Sequence, residues 1–254
     1  MNQTVNLPSK FQVKQAKCFD ETSSKLKVEE LLRRSPAEKI EFDKIFALLG
    51  DLSNKRVLDL GCGRGRYAIE IAKRAKEVVG VDISIKSIDL ARQAAEQAGV
   101  NNFQGLIDDF FEPFESAPFD YILAVNLLHH VDNLDLILTN IRKSLKPNGK
   151  IFILEFNPLN LTFIPFLIAI GHFSSHFNTK YFRSNIFTLR RYLERNRLKI
   201  IDLKRHSFLP TMLANYWSGF EKINNFLNQL PLIKQFCAFY IIVGQPGESG
   251  AIKK

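Results

Sequence analysis

Three glycines and two carboxylates carry the chemistry of this chain. Val57-Leu58-Asp59-Leu60 has the continuous apolar character of a buried strand, Gly61, Gly63 and Gly65 follow at alternate positions, and Tyr67 to Ala72 resumes with the apolar spacing of a helix. A glycine turn ending at a helix N-terminus leaves backbone amides pointing outward with a partial positive charge, and no Cβ fends off a ligand. That is a site for an anionic group. The dinucleotide fingerprint G-x-G-x-x-G would place a third glycine where Arg66 stands. Asp59, at the strand end beside the anion site, suits a ligand carrying both signs, such as an amino acid, and would repel a pyrophosphate. A second apolar run, Val78 to Val81, ends on Asp82, twenty-one residues after Gly61. An acid there is placed to accept hydrogen bonds from both hydroxyls of a ribose.

The two stretches LDLGCGRG, Leu58 to Gly65, and GVDIS, Gly80 to Ser84, taken together resemble the signature of the class I S-adenosylmethionine-dependent methyltransferases. The likeness runs from about Lys55 to Asn157 and includes an L-K-P-x-G turn at Leu145 to Gly149. It implies S-adenosyl-L-methionine as methyl donor, held by Asp59, Gly61, Gly63, Gly65, Asp82 and Ile83. Asp108 stands five residues before Pro113-Phe114, where the family pattern places an acid on the adenine amino group, and Asp109 adjoins it. Two adjacent acids after a strand can equally form a solvated turn or a helix cap. Val125 and Asn126 correspond to backbone positions near the sulfonium. His129 corresponds to a position facing the acceptor pocket, with His130 next to it, and Glu155 to a strand-end carboxylate on the acceptor side, with a hydrogen bond to a neighbouring loop as its plain alternative. The resemblance thus makes His129, His130 and Glu155 the candidates for taking a proton, His129 foremost. The plain alternative is that the histidines cap a helix starting near Asn133 or pack beneath it.

These residues need a scaffold that delivers strand ends to one edge. From Arg56 the chain alternates strands near 56–60, 77–82, 102–106, 119–125 and 150–156 with helices near 65–75, 85–98 and 134–145. Such alternation predicts an α/β fold, a doubly wound, mostly parallel sheet with right-handed crossovers and ligands beyond its carboxyl ends. The resemblance extends this to seven strands, the last two from Leu198 to Lys204 and Phe236 to Val243. Residues 1–54 form an N-terminal helical cap, with Phe11 to Ser24 lacking periodicity and a helix signalled by Ser35-Pro36. Phe19 and Phe42 are its candidate lid contacts, with plain core packing the favoured reading. Residues 55–157 are the S-adenosylmethionine-binding core, and 158–254 hold acceptor-side insertions, one a helix from Phe208 to Pro231, with the last strands.

At 254 residues the chain suits one sizeable α/β domain with appendages. Met1 to Phe19 has no signal-peptide pattern, no apolar run reaches 18 residues, and Cys18, Cys62 and Cys237 are few and scattered. These features favour a cytoplasmic chain without disulfides or a cysteine metal site, and His172 and His176 lack further ligands. The formal charge of +9 concentrates between Lys180 and His206, where nine Lys or Arg face two acids. A solvated helix face accounts for this run, with phosphate or lipid-headgroup contact as the alternative. Leu161 to Ile170 carries no charge and reads as core helix, apolar lid or membrane-dipping segment. The expected activity is O-methylation of a small-molecule or lipid-like acceptor, with peripheral membrane contact as an accompanying partner. Nucleic acid is the less favoured partner, since strand four lacks the Asn/Asp-Pro-Pro-Tyr/Phe segment, although a tRNA methyltransferase is the first alternative. A methyltransferase-like subunit without catalysis is the second.

Overall fold

The computed structural model describes residues 10–25, 27–110, 112, 117–160, 162, 165, 183–230 and 236–247. Its centre is a seven-stranded sheet of β1 (Arg56–Leu60), β2 (Glu77–Asp82), β3 (Phe103–Ile107), β4 (Phe119–Val125), β5 (Leu145–Phe156), β6 (Leu198–His206) and β7 (Phe239–Pro246), in the order β3-β2-β1-β4-β5-β7-β6. Strands β1 to β5 pair in parallel, whereas β7 runs antiparallel to both β5 and β6. This is the doubly wound, mostly parallel sheet the alternation predicts. Strand order reverses between β1 and β4, and the site residues gather there.

Alternation along the strands feeds two cores. Leu58, Leu60, Val79 and Val81 pack with α6 (Leu134–Ser144) and α7 (Ile186–Arg195), while Val57 and Val78 face α3 (Pro36–Leu49) and α4 (Arg66–Ala72). Helix α5 (Ile85–Gln97) starts directly after β2, with Ser84 accepting from the Ser87 amide as N-cap. Helix α3 begins with the full capping box of Ser35 and Glu38, as Ser35-Pro36 signals.

Several boundaries depart from expectation. Phe11 to Ser24 is not irregular: Lys10–Ser23 form helix α1. Its inward-facing residues mix polar and apolar side chains, so no apolar stripe announces the helix. The α4 helix stops at Ala72 because Asn102 Nδ2 donates to the carbonyls of Ala72 and Ala75 and ends the ladder. Strand β5 begins five residues early, with Leu145 pairing Phe119 ahead of an irregularity in the register, so the Lys-Pro-Asn-Gly segment lies within the strand. Strand β7 begins at Phe239 rather than Phe236. Between Phe208 and Pro231 a 3-10 turn (Thr211–Asn215) and helix α8 (Phe220–Gln229) replace one continuous helix, and Trp217 lies in the break. Leu161 to Ile170 as a unit, His172 and His176 lie outside the described residues. No helix among the described residues is long and apolar enough to cross a membrane.

One buried carboxylate ties α3 to α4 and to the 3-10 turn. Glu41 of α3 accepts from Thr211 Oγ1 at 2.8 Å and from Tyr67 Oη at 3.2 Å, joining the cap, the 3-10 turn and α4. Phe42, beside it, stacks on Tyr67 with ring centroids 4.4 Å apart and is core rather than lid. Removing the carboxylate strands two buried hydroxyls, so Glu41→Ala is expected to cost about 1.5–3 kcal/mol. Urea unfolding of the variant checks this, with an unchanged midpoint as the contrary result.

Candidate active site

The glycine turn is fastened to the neighbouring strand before any ligand is considered. The Gly61 and Cys62 amides both donate to Val81 O, at 2.8 and 2.9 Å, which holds the end of β1 against β2. Gly63 and Gly65 have φ of 52° and 79°, in the left-handed region that favours glycine. A Cβ on Gly63 would meet nothing within 4 Å, whereas one on Gly65 would come within 3.0 Å of Ala91 Cβ and 3.3 Å of its Cα. Gly65 thus provides the close packing, here against α5, that the dinucleotide pattern gives to a glycine one position later. Gly63 leaves open space.

That space belongs to a cavity of about 590 Å³ at the carboxyl ends of β1, β2 and β4. Asp59, Gly61, Gly63, Asp82, Val125 and Asn126 line it, so the turn, the second-strand acid and the fourth-strand residues expected to act together do meet. Ile83 and Asp109 line it too, and also border a second cavity of about 640 Å³ reached by Asp108. Asp108 Oδ1 accepts from the Phe110 amide at 2.8 Å, so part of its capacity is spent on the turn, the alternative weighed for the acid pair.

Electrostatically the cavity is incomplete. Asp59 is 2% exposed, its Oδ2 has no hydrogen-bond partner, and burial, opposed by the Ala68 amide and aided by the Asp82 charge, pushes its carboxyl up to about 7. Asn126, at φ 50°, has its Oδ1 buried and also without a partner. Asp82 is better served: Gly63 N and Ser84 N each donate to it at 2.9 Å, although burial still raises its pKa. Two orphaned acceptors, one of them on a buried carboxylate, call for a cationic donor such as an ammonium.

S-adenosylmethionine fits these demands. Asp59 and the Asn126 oxygen would face its ammonium, the open side of Gly63 would admit the chain, and Asp82 would take the ribose hydroxyls. Arg64 also borders the cavity, and burial followed by the charge of Arg66 lowers its pKa. Arg66 donates to Glu38 Oε1 at 2.9 Å.

The histidine pair divides. His129 is 5% exposed and turned inward: its Nδ1 lies 2.7 Å from Glu155 Oε2, and Glu155 Oε1 accepts from the Leu128 amide at 2.6 Å. Glu155 is fully buried. Among the three proton-transfer candidates only His130 lines the cavity. His130 thus comes to the cavity and His129 beneath it, because the 3-10 turn Leu128–His130 directs consecutive side chains to different sides. Helix α1 supplies residues that sequence reasoning missed: Gln15, Cys18, Thr22 and Ser23 join Phe19 in lining the cavity. Their i, i+3, i+4, i+7, i+8 spacing was the available signal.

The raised Asp59 carboxyl sets a pH dependence. Its pKa exceeds the unfolded value, so the empty folded protein binds more protons than the unfolded chain, and stability from this group falls as pH rises through 7. A cationic ligand needs the ionised form. Affinity for S-adenosylhomocysteine should fall on the order of tenfold per pH unit below 7. Asp59→Asn should abolish that slope and raise the melting temperature of the empty protein at pH 8. Calorimetric titration and thermal unfolding check both, and a flat wild-type affinity from pH 5.5 to 7.5 would count against the assignment.

Comparison with known proteins agrees with this geometry. A family model described as a methyltransferase domain matches residues 51–185, more than half of the chain. A ubiquinone biosynthesis O-methyltransferase of Actinobacillus pleuropneumoniae is 31% identical over 136 residues, covering 52% of this chain and 57% of the relative. One from Idiomarina loihiensis is 34% identical over 120 residues, covering 47% and 48%. The chain thus spans about half the length of the curated relatives it matches. Among solved structures, magnesium protoporphyrin IX methyltransferase from Synechocystis with bound SAH has a TM-score of 0.64 at 16% identity, covering 93% of this chain and all of that one. Geranyl diphosphate C-methyltransferase from Streptomyces coelicolor has a TM-score of 0.64 at 17% identity, covering 93% and 98%. At such identities the likeness concerns the fold. With sheet order, glycine turn and strand-end acids in agreement, the chain belongs to the methyltransferase domain family, whose methyl donor is S-adenosylmethionine.

Proposed function

We propose that the chain transfers a methyl group from S-adenosylmethionine to a hydroxyl oxygen of a small, lipid-like acceptor, with His130 as general base. The observation that carries this reading is the position of His130 on the wall of the cavity that also contains Asp59, Gly63 and Asp82. When bound, the donor supplies a methyl group activated by its sulfonium. The protein's part is to align the acceptor, exclude water and accept its proton. Phe19, Leu31, Phe110, Leu127, Val131 and Ile137 give the cavity an apolar wall suited to an aromatic or prenylated acceptor. The activity of the relatives, O-methylation in ubiquinone biosynthesis, supports the same class. His130 takes the hydroxyl proton onto a ring nitrogen as the oxygen acquires the methyl group. His129 and Glu155 act beneath it by holding the turn.

RNA is disfavoured as acceptor because the basic run is partly committed: Arg195 Nε donates to Asp135 Oδ1 at 2.5 Å, and Arg190 lies 3.9 Å from Glu194. A lipid surface suits the described surface better. Tyr216, Trp217, Ile223, Phe226, Leu230 and Phe236 are exposed, and Ile223, Phe226 and Leu230 follow helical spacing along and just beyond α8. Sedimentation with phosphatidylglycerol vesicles, compared with phosphatidylcholine vesicles, should reveal binding that Trp217→Ser with Phe226→Ser weakens. Equal behaviour of wild type and variant would remove this surface from the proposal.

Incubating lysate with labelled donor should place the label in the organic-extractable fraction and not in RNA. With that acceptor in hand, His130→Ala should lower turnover by about 10²–10⁴-fold while donor affinity stays near wild type. Full turnover in a folded His130→Ala protein would sink the general-base assignment.

A further inference from the structure

Helix α1 belongs to the N-terminal cap, yet it crosses the cavity from the donor side to the acceptor side. Near its C-terminal end it is fastened to the start of α5, directly after the Asp82 strand end. Asp20 Oδ1 accepts from Ser84 Oγ at 2.6 Å and from the Lys86 amide at 3.0 Å, while Ser23 and Ser87 hydroxyls lie 2.9 Å apart. Two turns back along the helix, Gln15 Nε2 lies 2.9 Å from His130 Nδ1. One turn from Gln15, the Phe19 ring meets the His130 ring edge-on at 5.5 Å between centroids. The ring of His130 is thus held from three directions, the third being His129 at 4.0 Å on a tilted face.

A side-chain amide has two unlike ends, and each imposes a different state on the nitrogen it meets. Its nitrogen only donates, so against Nδ1 it makes Nδ1 the acceptor and puts the proton of neutral imidazole on Nε2. Its oxygen only accepts, so a half-turn of the amide puts the ring proton on Nδ1 and makes Nε2 the basic nitrogen. The ends have nearly the same shape, so exchanging them displaces no other heavy atom, while the ring gives up its Nε2 proton to solvent and regains one at Nδ1. By comparison, the Glu155–His129 pair fixes the ring of the neighbouring histidine.

We propose that Gln15 is the positioning residue that sets the tautomer of His130, so that the base is completed by the N-terminal helix and not by the fourth strand alone. The resting arrangement has the amide nitrogen on Nδ1 and the ring proton on Nε2, and turning the amide converts His130 into a base at Nε2. The same helix is pinned beside Asp82 as well, so it touches both the donor side and the base. The functional meaning rests on His130 being the base, but the tautomer itself can be read without any acceptor.

The test uses full-length protein labelled with ¹⁵N-histidine, with long-range ¹H–¹⁵N correlation spectra recorded alone and with S-adenosylhomocysteine. The chain has five histidines, so His130 is assigned by the signals lost in His130→Gln. Wild type should show the Nε2–H pattern for His130 when empty. Gln15→Glu, whose carboxylate can only accept, should reverse it to Nδ1–H. Gln15→Leu should give averaged shifts of a tautomer mixture. A wild-type pattern in both folded variants would overturn the proposal. Once an acceptor is identified, Gln15→Leu should lower kcat about ten- to hundredfold with the KM for donor little changed, and Gln15→Glu should recover most of it. Unchanged kcat in Gln15→Leu would likewise overturn it. Full turnover in His130→Ala, with the tautomer reversal still seen, would instead reject the base and leave the Gln15 contact standing.

Discussion

A buried carboxyl with one oxygen lacking a hydrogen-bond partner, Asp59 at the end of β1, is the constraint around which this molecule is arranged. Burying it costs folding free energy, as its elevated pKa records, and nothing in the empty protein offsets the cost fully. The surrounding features make sense as ways of keeping that charge available to a ligand. The glycine turn is bonded to Val81 O and not to the carboxylate, Asp82 is satisfied by backbone amides of Gly63 and Ser84, and Asn126 is held in a left-handed conformation with its oxygen unpartnered. A protein selected for stability alone would place an amide or an apolar residue at Asp59.

Much of this was legible in the sequence because local chemistry and global fold agree there. The change from strand to glycine turn to helix at Val57 to Ala72 occurs within a few residues, and the acid at Asp82 follows at a distance that one βα unit fixes. The parallel sheet follows from the alternation, since right-handed crossovers leave few topologies. Where prediction drifted, long-range partners decided the outcome. Asn102, thirty residues away from Ala72, ends α4, and the pairing of Leu145 with Phe119 recruits a Pro-Gly segment into a strand.

Helix α1 shows a different kind of illegibility. Its inward face carries Gln15, Cys18, Phe19, Thr22 and Ser23, a mixture of polar and apolar side chains, because it borders a ligand cavity and not a hydrophobic core. Hydrophobic periodicity finds helices that pack against oil. A helix that packs against a polar ligand has no such stripe, and its spacing becomes readable only when the search is for residues able to bond or stack, irrespective of hydropathy.

The histidine pair extends the same lesson to chemistry. Adjacent residues in a 3-10 turn separate by about 120° around the axis, so His129 and His130 face different surroundings although no propensity distinguishes them. Glu155 selects between them: its two oxygens take the Leu128 amide and the His129 ring, which draws His129 under the turn and leaves His130 at the cavity. A strand-end carboxylate that sequence reasoning places among the reacting groups is thereby occupied in orienting the turn. Its full burial is consistent with that role, because a carboxylate with both oxygens bonded is tolerated in the interior where an exchanging one would need access to the acceptor. The division of labour between an anchored histidine and a cavity-lining one is written in strand β5, twenty-six residues beyond His129 in sequence.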